Sequence, residues 1–260
     1  KRQAPRIVLS GGKSALTTVA GRLYSLWLTA PDAGAAPTTA AAPTKATAGS
    51  LRTISGSEFE NTAGVQRIVG VRGSCGSPGR LYIVDRLSHQ GGLSGIVTIP
   101  QVTNFPTAAL TRSTSGVGVR IGVEISSQVG TTGTTITASY MNEAGLPGQN
   151  TPTSVFGGTG FREASRMVVL PNAAGDGGAQ AVAGLTLAAS TGTAGAFGVT
   201  LFKPLLSLSV QDANRFDWDP LEHAGGQSPE IPNDACLQLL WMANATTTGG
   251  FELEVLLAED

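Results

Sequence analysis

The chain has 260 residues, a formal net charge of −1 and 13% charged residues, roughly half the share of an average soluble protein. Near-neutrality excludes a general electrostatic attraction to nucleic acid or anionic membrane, and the cluster Lys1, Arg2 and Arg6 reads as a solvated tail. No apolar stretch approaches the length of a transmembrane helix, no signal peptide is visible, and the missing initiator Met points to processing or truncation.

So sparse a charge, combined with abundant Gly, Ala, Thr and Ser, suits a surface packed against copies of itself or a scaffold. The length accommodates one large β-domain with an appendage. Cys75 and Cys236 are too few for a disulfide framework and lack metal-ligand spacing, which leaves free thiols in a reducing compartment as the reading.

In chain order, Leu16, Val19, Leu23, Leu26 and Trp27 recur in steps of three and four, which predicts a short helix over Ser14 to Leu28 that ends before Pro31. Residues 30–50, almost wholly Ala, Pro, Thr and Gly, read as an extended linker. Residues 1–50 are therefore expected to form an N-terminal arm, and 51–260 a β-sandwich domain with an irregular loop at 211–235.

Within that domain, Gln66 to Arg72 and Arg80 to Arg86 read as a strand pair around a Gly- and Pro-containing loop. The stretch Gly116 to Met141 carries the strongest pattern. Val117, Val119, Ile121, Val123 and Ile125 alternate with polar or small residues, and Ile136, Ala138 and Tyr140 alternate with Thr and Ser. Gly130-Thr-Thr-Gly133 between them predicts a β-hairpin. Two further hairpins are expected, one joining Gln180–Ala189 to Phe197–Phe202 and one joining Cys236–Ala243 to Phe251–Leu257. Some ten to twelve short strands make an all-β sandwich or jelly-roll-like fold the expected architecture.

Motifs for chemistry fall short. Gly11-Gly12-Lys13-Ser14 resembles part of a phosphate loop, but Ile7 stands where the pattern needs its first glycine, and no β-α-β context follows. His89 has Asp85 in sequence reach, and His223 has Asp217, Asp219 and Glu222, yet nothing singles out an activated nucleophile. The acidic run Asp212, Asp217, Asp219, Glu222 fits no calcium-loop spacing. Trp27, Trp218 and Trp241 read as core or interface anchors. No catalytic, cofactor or metal site is expected, and the chain is read as not being an enzyme.

Four runs, Gly12 to Trp27 followed by the Ala/Pro/Thr segment, Leu81 to Gly95, Gly157 to Arg166 and Gly192 to Thr200, resemble structural proteins of tailed bacteriophages. The resemblance spans residues 12 to about 210 and implies a virion component assembled in the host cytoplasm. Head placement is the expectation: a decoration or cement protein that binds the major capsid protein and bridges its subunits, as a homo-oligomer such as a trimer. The contact residues expected are Leu16, Val19, Leu23, Tyr24 and Trp27. The alternative is a neck, tail or head-fibre component acting as a host-surface carbohydrate-binding module.

Overall fold

The computed structural model describes residues 7–53, 55–105, 110–211, 215–219 and 228–259. Among these residues the secondary structure is all strand, in chain order β1 (Ile7–Thr18), β2 (Leu23–Ser25), β3 (Arg52–Thr53), β4 (Gln66–Cys75), β5 (Gly79–Leu93), β6 (Gln101–Val102), β7 (Arg120–Ser127), β8 (Gly133–Asn142) and β9 (Gln149–Asn150). There follow β10 (Ser154–Gly157), β11 (Met167–Leu170), β12 (Ala179–Leu187), β13 (Ala196–Val210), β14 (Phe216–Trp218), β15 (Glu230–Ile231), β16 (Leu237–Ala243) and β17 (Thr247–Glu259). The all-β expectation holds. The chain divides into two compact units, the first made of residues 1–34, 44–85 and 205–260, the second of 35–43 and 86–204.

In the first unit one layer has the strand order β14-β4-β17-β1-β3, with β15 also on β4. The other is built on β16, which pairs with β2 and with the Gly79–Asp85 part of β5. Leu9, Val71, Leu253 and Val255 from the first layer share one core with Leu81, Ile83, Leu239 and Trp241 from the second. In the second unit one layer runs β10-β8-β12-β6 with β9 on β8. In the other, β7 is flanked by β11 and by the start of β13. Ile121, Val123 and Ile125 share a second, separate core with Ile136, Ala138 and Tyr140. Each unit is thus a curled β-sandwich around its own interior.

None of the expected hairpins is a hairpin. β7 and β8 lie in different sheets, and so do β4 and β5, β12 and β13, and β16 and β17. Each connection is an arch from one layer to the other. Alternation buries every second residue whether the partner lies beside the strand or across the core, so the pattern identifies the strands without fixing their pairing.

What decides for arches is visible in the loops, which stack on one another. In the second unit Thr191, fully buried, accepts the Gly130 amide on its Oγ1 at 3.0 Å and the Thr132 amide on its carbonyl at 3.0 Å. This ties the β7–β8 arch to the β12–β13 arch. In the first unit Gly76 donates to the Gly250 carbonyl at 3.2 Å and Asn244 to that of Pro78 at 3.0 Å, tying its two arches in the same way.

The N-terminal helix is not present. β1 pairs with β17 from Ile7 to Thr18, a turn closes with the Arg22 amide on the Val19 carbonyl at 3.2 Å, and β2 follows. Ten registered pairs along one sheet outweigh the weak helical spacing of an isolated stretch that contains Gly21. Residues 1–50 do not stand apart as an arm either. Residues 1–34 and 44–50 belong to the first unit and 35–43 to the second. Trp27 is fully buried with Gly34 and Gly49 against its ring, and a Cβ on Gly34 would fall 2.0 Å from the indole. The segment 35–43 is held by backbone: Ala41 and His89 exchange amide bonds at 2.9 Å, and Gly91 donates to the Pro37 carbonyl at 2.6 Å.

The arch contacts predict a contrast within one loop. A Cβ at Gly130 would sit 1.8 Å from the Thr191 carbonyl oxygen, whereas one at Gly133 meets nothing within 4 Å. Gly130→Ala should lower the unfolding free energy by about 2 kcal/mol or more, and Gly133→Ala should stay within about 0.5 kcal/mol of the parent, both read by urea titration.

Candidate functional site

Of the five residues expected to touch a partner, Tyr24 and Trp27 are fully buried, while Leu16, Val19 and Leu23 are half-buried on β1, the following turn and β2. The helical face that would have presented them together is absent, because strand geometry sends neighbours to opposite faces. The glycine-lysine motif lies inside β1. Lys13 is buried, and its Nζ donates to the carbonyls of Thr29 at 3.2 Å and Asp32 at 2.8 Å. Burial pushes its pKa down, with the Asp32 charge opposing the shift.

Asp85 Oδ1 accepts the Cys236 amide at 2.9 Å, and His89 meets Arg86. The Arg86 Nε donates to His89 Nδ1 at 3.1 Å, while its Nη2 lies 2.7 Å from Glu124 Oε2 and 2.8 Å from His89 Nδ1. Arg86 is 1% and Glu124 4% exposed, so this is a buried ion pair. Arg112, also buried, donates to the carbonyls of Arg86 at 2.9 Å and Pro43 at 2.8 Å. Burial first, and the Arg86 charge second, lower the His89 pKa from 6.5 to about 3. A neutral imidazole that accepts on Nδ1 orients Arg86, so the cluster is an internal strut.

His223, Glu222 and Asp212 lie outside the described residues; Asp217 is exposed on β14. Cys75 and Cys236 are both free and buried, and burial raises the Cys75 thiol pKa, a backbone hydrogen bond with Ser77 partly offsetting the rise. Trp218 and Trp241 are buried in the first unit's core. Among the described residues no three His, Cys, Asp or Glu side chains converge as a metal site.

Two surfaces stand out instead. The first is the exterior of the second unit. Four of its charged side chains, Arg86, Arg112, Glu124 and Arg166, are buried, which leaves Arg120, Glu143, Arg162, Glu163, Asp176 and Lys203 for the outside. Of these only Arg120 is exposed; the others are half-buried. Glu143 accepts the Gly177 amide at 2.8 Å and the Gly178 amide at 3.0 Å, and Asp176 accepts Tyr140 Oη at 2.6 Å. The same unit exposes Ile96, Ile99, Val102, Val117, Leu146, Val155 and Val169, whereas the first unit exposes only Val65 among large apolar side chains of the described residues. Ile99 and Val102, 72% and 71% exposed, sit within four residues of each other at the edge strand β6. Sequence reading missed this strip because its short alternation resembles any other buried strand; only the fold shows it uncovered.

The second surface is a polar groove of about 460 Å³ on the outer face of the first unit's larger sheet, floored by Ser10, Gly12 and Ser74. Arg72 pairs with Glu254 across it at 2.6 Å, and Arg215 and Glu252 line it.

No known protein family matches the chain, and no curated protein matches it. Among solved structures it is similar, weakly, to the infectious bursal disease virus VP2 subviral particle, at 8% identity over 100% of this chain and 81% of that chain with a TM-score of 0.22. The structure of the Gx strain of the same virus matches at 11% identity over 100% and 81%, with a TM-score of 0.19. Scores this low establish neither a shared fold nor a shared role.

The strut generates two expectations. Arg86→Met alone should cost about 3–5 kcal/mol by stranding Glu124, whereas Arg86→Met with Glu124→Leu should recover much of that loss, as read by denaturant titration. Because the folded His89 pKa is depressed below its unfolded value, the unfolded chain binds the extra proton between pH 6.5 and about 3. The His89 contribution to stability is therefore complete above pH 6.5 and falls toward pH 3, by up to about 1.4 kcal/mol per pH unit. His89→Gln should flatten that part of the profile.

Proposed function

We propose that this chain is a structural component of a virion, a capsid decoration protein that binds and bridges major capsid subunits on a phage head. The observation that carries the reading is the exterior of the second unit, which is nearly free of charge and studded with exposed aliphatic side chains. A monomer bathed in water gains nothing from such a surface and is put at risk of aggregation by it. Against a neighbouring subunit the same side chains contribute the hydrophobic burial that holds a shell together, and few charges need desolvating. The resemblance of four sequence runs to structural proteins of tailed bacteriophages supports the same reading.

A cement function requires that load pass through the bound protein without local unfolding. Two separately closed sandwiches, with stacked arches and a buried ion pair, suit that demand. An interface of standard size, about 1,600 Å², repeated over the shell would oppose the outward pressure of packaged DNA. Self-association, as a trimer on local threefold positions, belongs to the same proposal.

One observation favours a second reading. The polar groove of the first unit places Arg215 and Glu252, with serine hydroxyls, where they can exchange hydrogen bonds with sugar hydroxyls. In that reading the chain is a tail, neck or head-fibre component that binds a host glycan.

The two are separable. Ile99→Asp with Val102→Asp should leave the far-UV circular dichroism unchanged and weaken co-sedimentation with expanded heads by tenfold or more. If that variant binds heads like the parent while Arg215→Ala with Glu252→Ala abolishes staining of host cells and a soluble glycan competes, the glycan reading replaces the first.

A further inference from the structure

Lys45 lies in the segment that returns to the first unit just before β3, and only 7% of it is exposed. Its Nζ is 2.5 Å from Asn61 Oδ1 and donates a second hydrogen bond to the Phe59 carbonyl. It also stands 4.8 Å from the centre of the Phe59 ring, which is itself fully buried. Among the described residues no carboxylate pairs with this nitrogen. A buried cation satisfied only by neutral oxygens and an aromatic face keeps a desolvation penalty that an ion pair would reduce.

We propose that Lys45 and Asn61 join in an intramolecular isopeptide bond that the folded chain makes on itself. The Lys45 Nζ lone pair, freed when the nitrogen gives up a proton, attacks Asn61 Cγ. The bond from Cγ to the side-chain nitrogen breaks, and an amide between Nζ and Cγ remains. Lysine ammonium and asparagine amide become a secondary amide and ammonium: of the three protons on Nζ one stays on the new amide and two leave with the departing nitrogen, so no oxidant or co-reactant is needed.

The fold supplies what two free side chains lack. Cγ is one bond beyond an oxygen already at 2.5 Å, close to the roughly 3–3.5 Å at which reacting atoms are poised. The Phe59 carbonyl holds one N–H and so limits how the nitrogen can turn. Replacing a buried charge by a neutral amide removes the desolvation penalty, which favours product. With no carboxylate at the nitrogen to move protons, the reaction is slow and follows folding.

The bond would close a ring around β3. That strand is already fixed by Arg52, which donates to the Lys45 carbonyl at 3.0 Å and pairs with Asp32 at 3.3 Å. The inference rests on this local geometry and stands whichever functional reading holds.

The test is the intact mass of the purified full chain after prolonged warm incubation, followed by peptide mapping. The expected result is a mass short of the sequence value by one ammonia, with a branched peptide that joins residues 45 and 61. Asn61→Ala should keep its full sequence mass and unfold at lower denaturant than the matured parent. Full parental mass with residues 45 and 61 in separate linear peptides would overturn the proposal. So would simple deamidation of Asn61 without a branch, or ammonia loss mapped to another site.

Discussion

The structure depends on one constraint: each alternating strand must cover its apolar face, and here it does so against the strand that follows it in sequence but lies in the opposite layer. Ile121 and Ile125 meet Ile136 and Tyr140 across a core, not beside them in a sheet. That choice makes consecutive strands partners in burial while backbone pairing goes to distant strands, such as β1 with β17. Long-range pairing of this kind is slow to form, because loop closure precedes the contacts that reward it. Once formed, it ties the ends of the chain into one sheet of the first unit.

The arches are therefore more than connectors. Thr191 joins two of them through both its hydroxyl and its carbonyl, and the Asn244 to Pro78 bond joins two in the other unit. Inside the second unit the Arg86, Glu124 and His89 cluster adds a directional element that apolar packing lacks, since a bidentate guanidinium tolerates little displacement. A scaffold fixed at its arches and at its centre can hold a sparsely charged exterior without relying on surface ion pairs, which contribute little in water.

Much of this was legible in the residues. Period-two alternation located β7, β8 and β17, and the composition anticipated the thinly charged exterior of the second unit. Pairing was not legible, because a residue facing the core carries the same signature in a hairpin and in an arch. The N-terminal segment misled for a related reason. Leu16, Val19, Leu23 and Trp27 fall at helical spacing, yet β1 is fixed by β17, more than two hundred residues away, and no local pattern reports such a partner. Lys45 and Asn61 were equally invisible: a lysine in an Ala/Pro/Thr-rich stretch reads as solvated until folding buries it beside Phe59. The exposed strip at Ile99 and Val102 was hidden because exposure belongs to the folded surface, and β6 is an edge strand only in three dimensions.

The central claim is that this chain works as a structural element, docked through the exterior of its second unit. The most direct measurement is a reconstruction of the intact particle at a resolution that traces side chains. The account predicts density for this chain on the outer shell, with Ile99 and Val102 covered by a neighbouring subunit. Density for the chain with that strip facing solvent, or particles that lack the chain altogether, would contradict it.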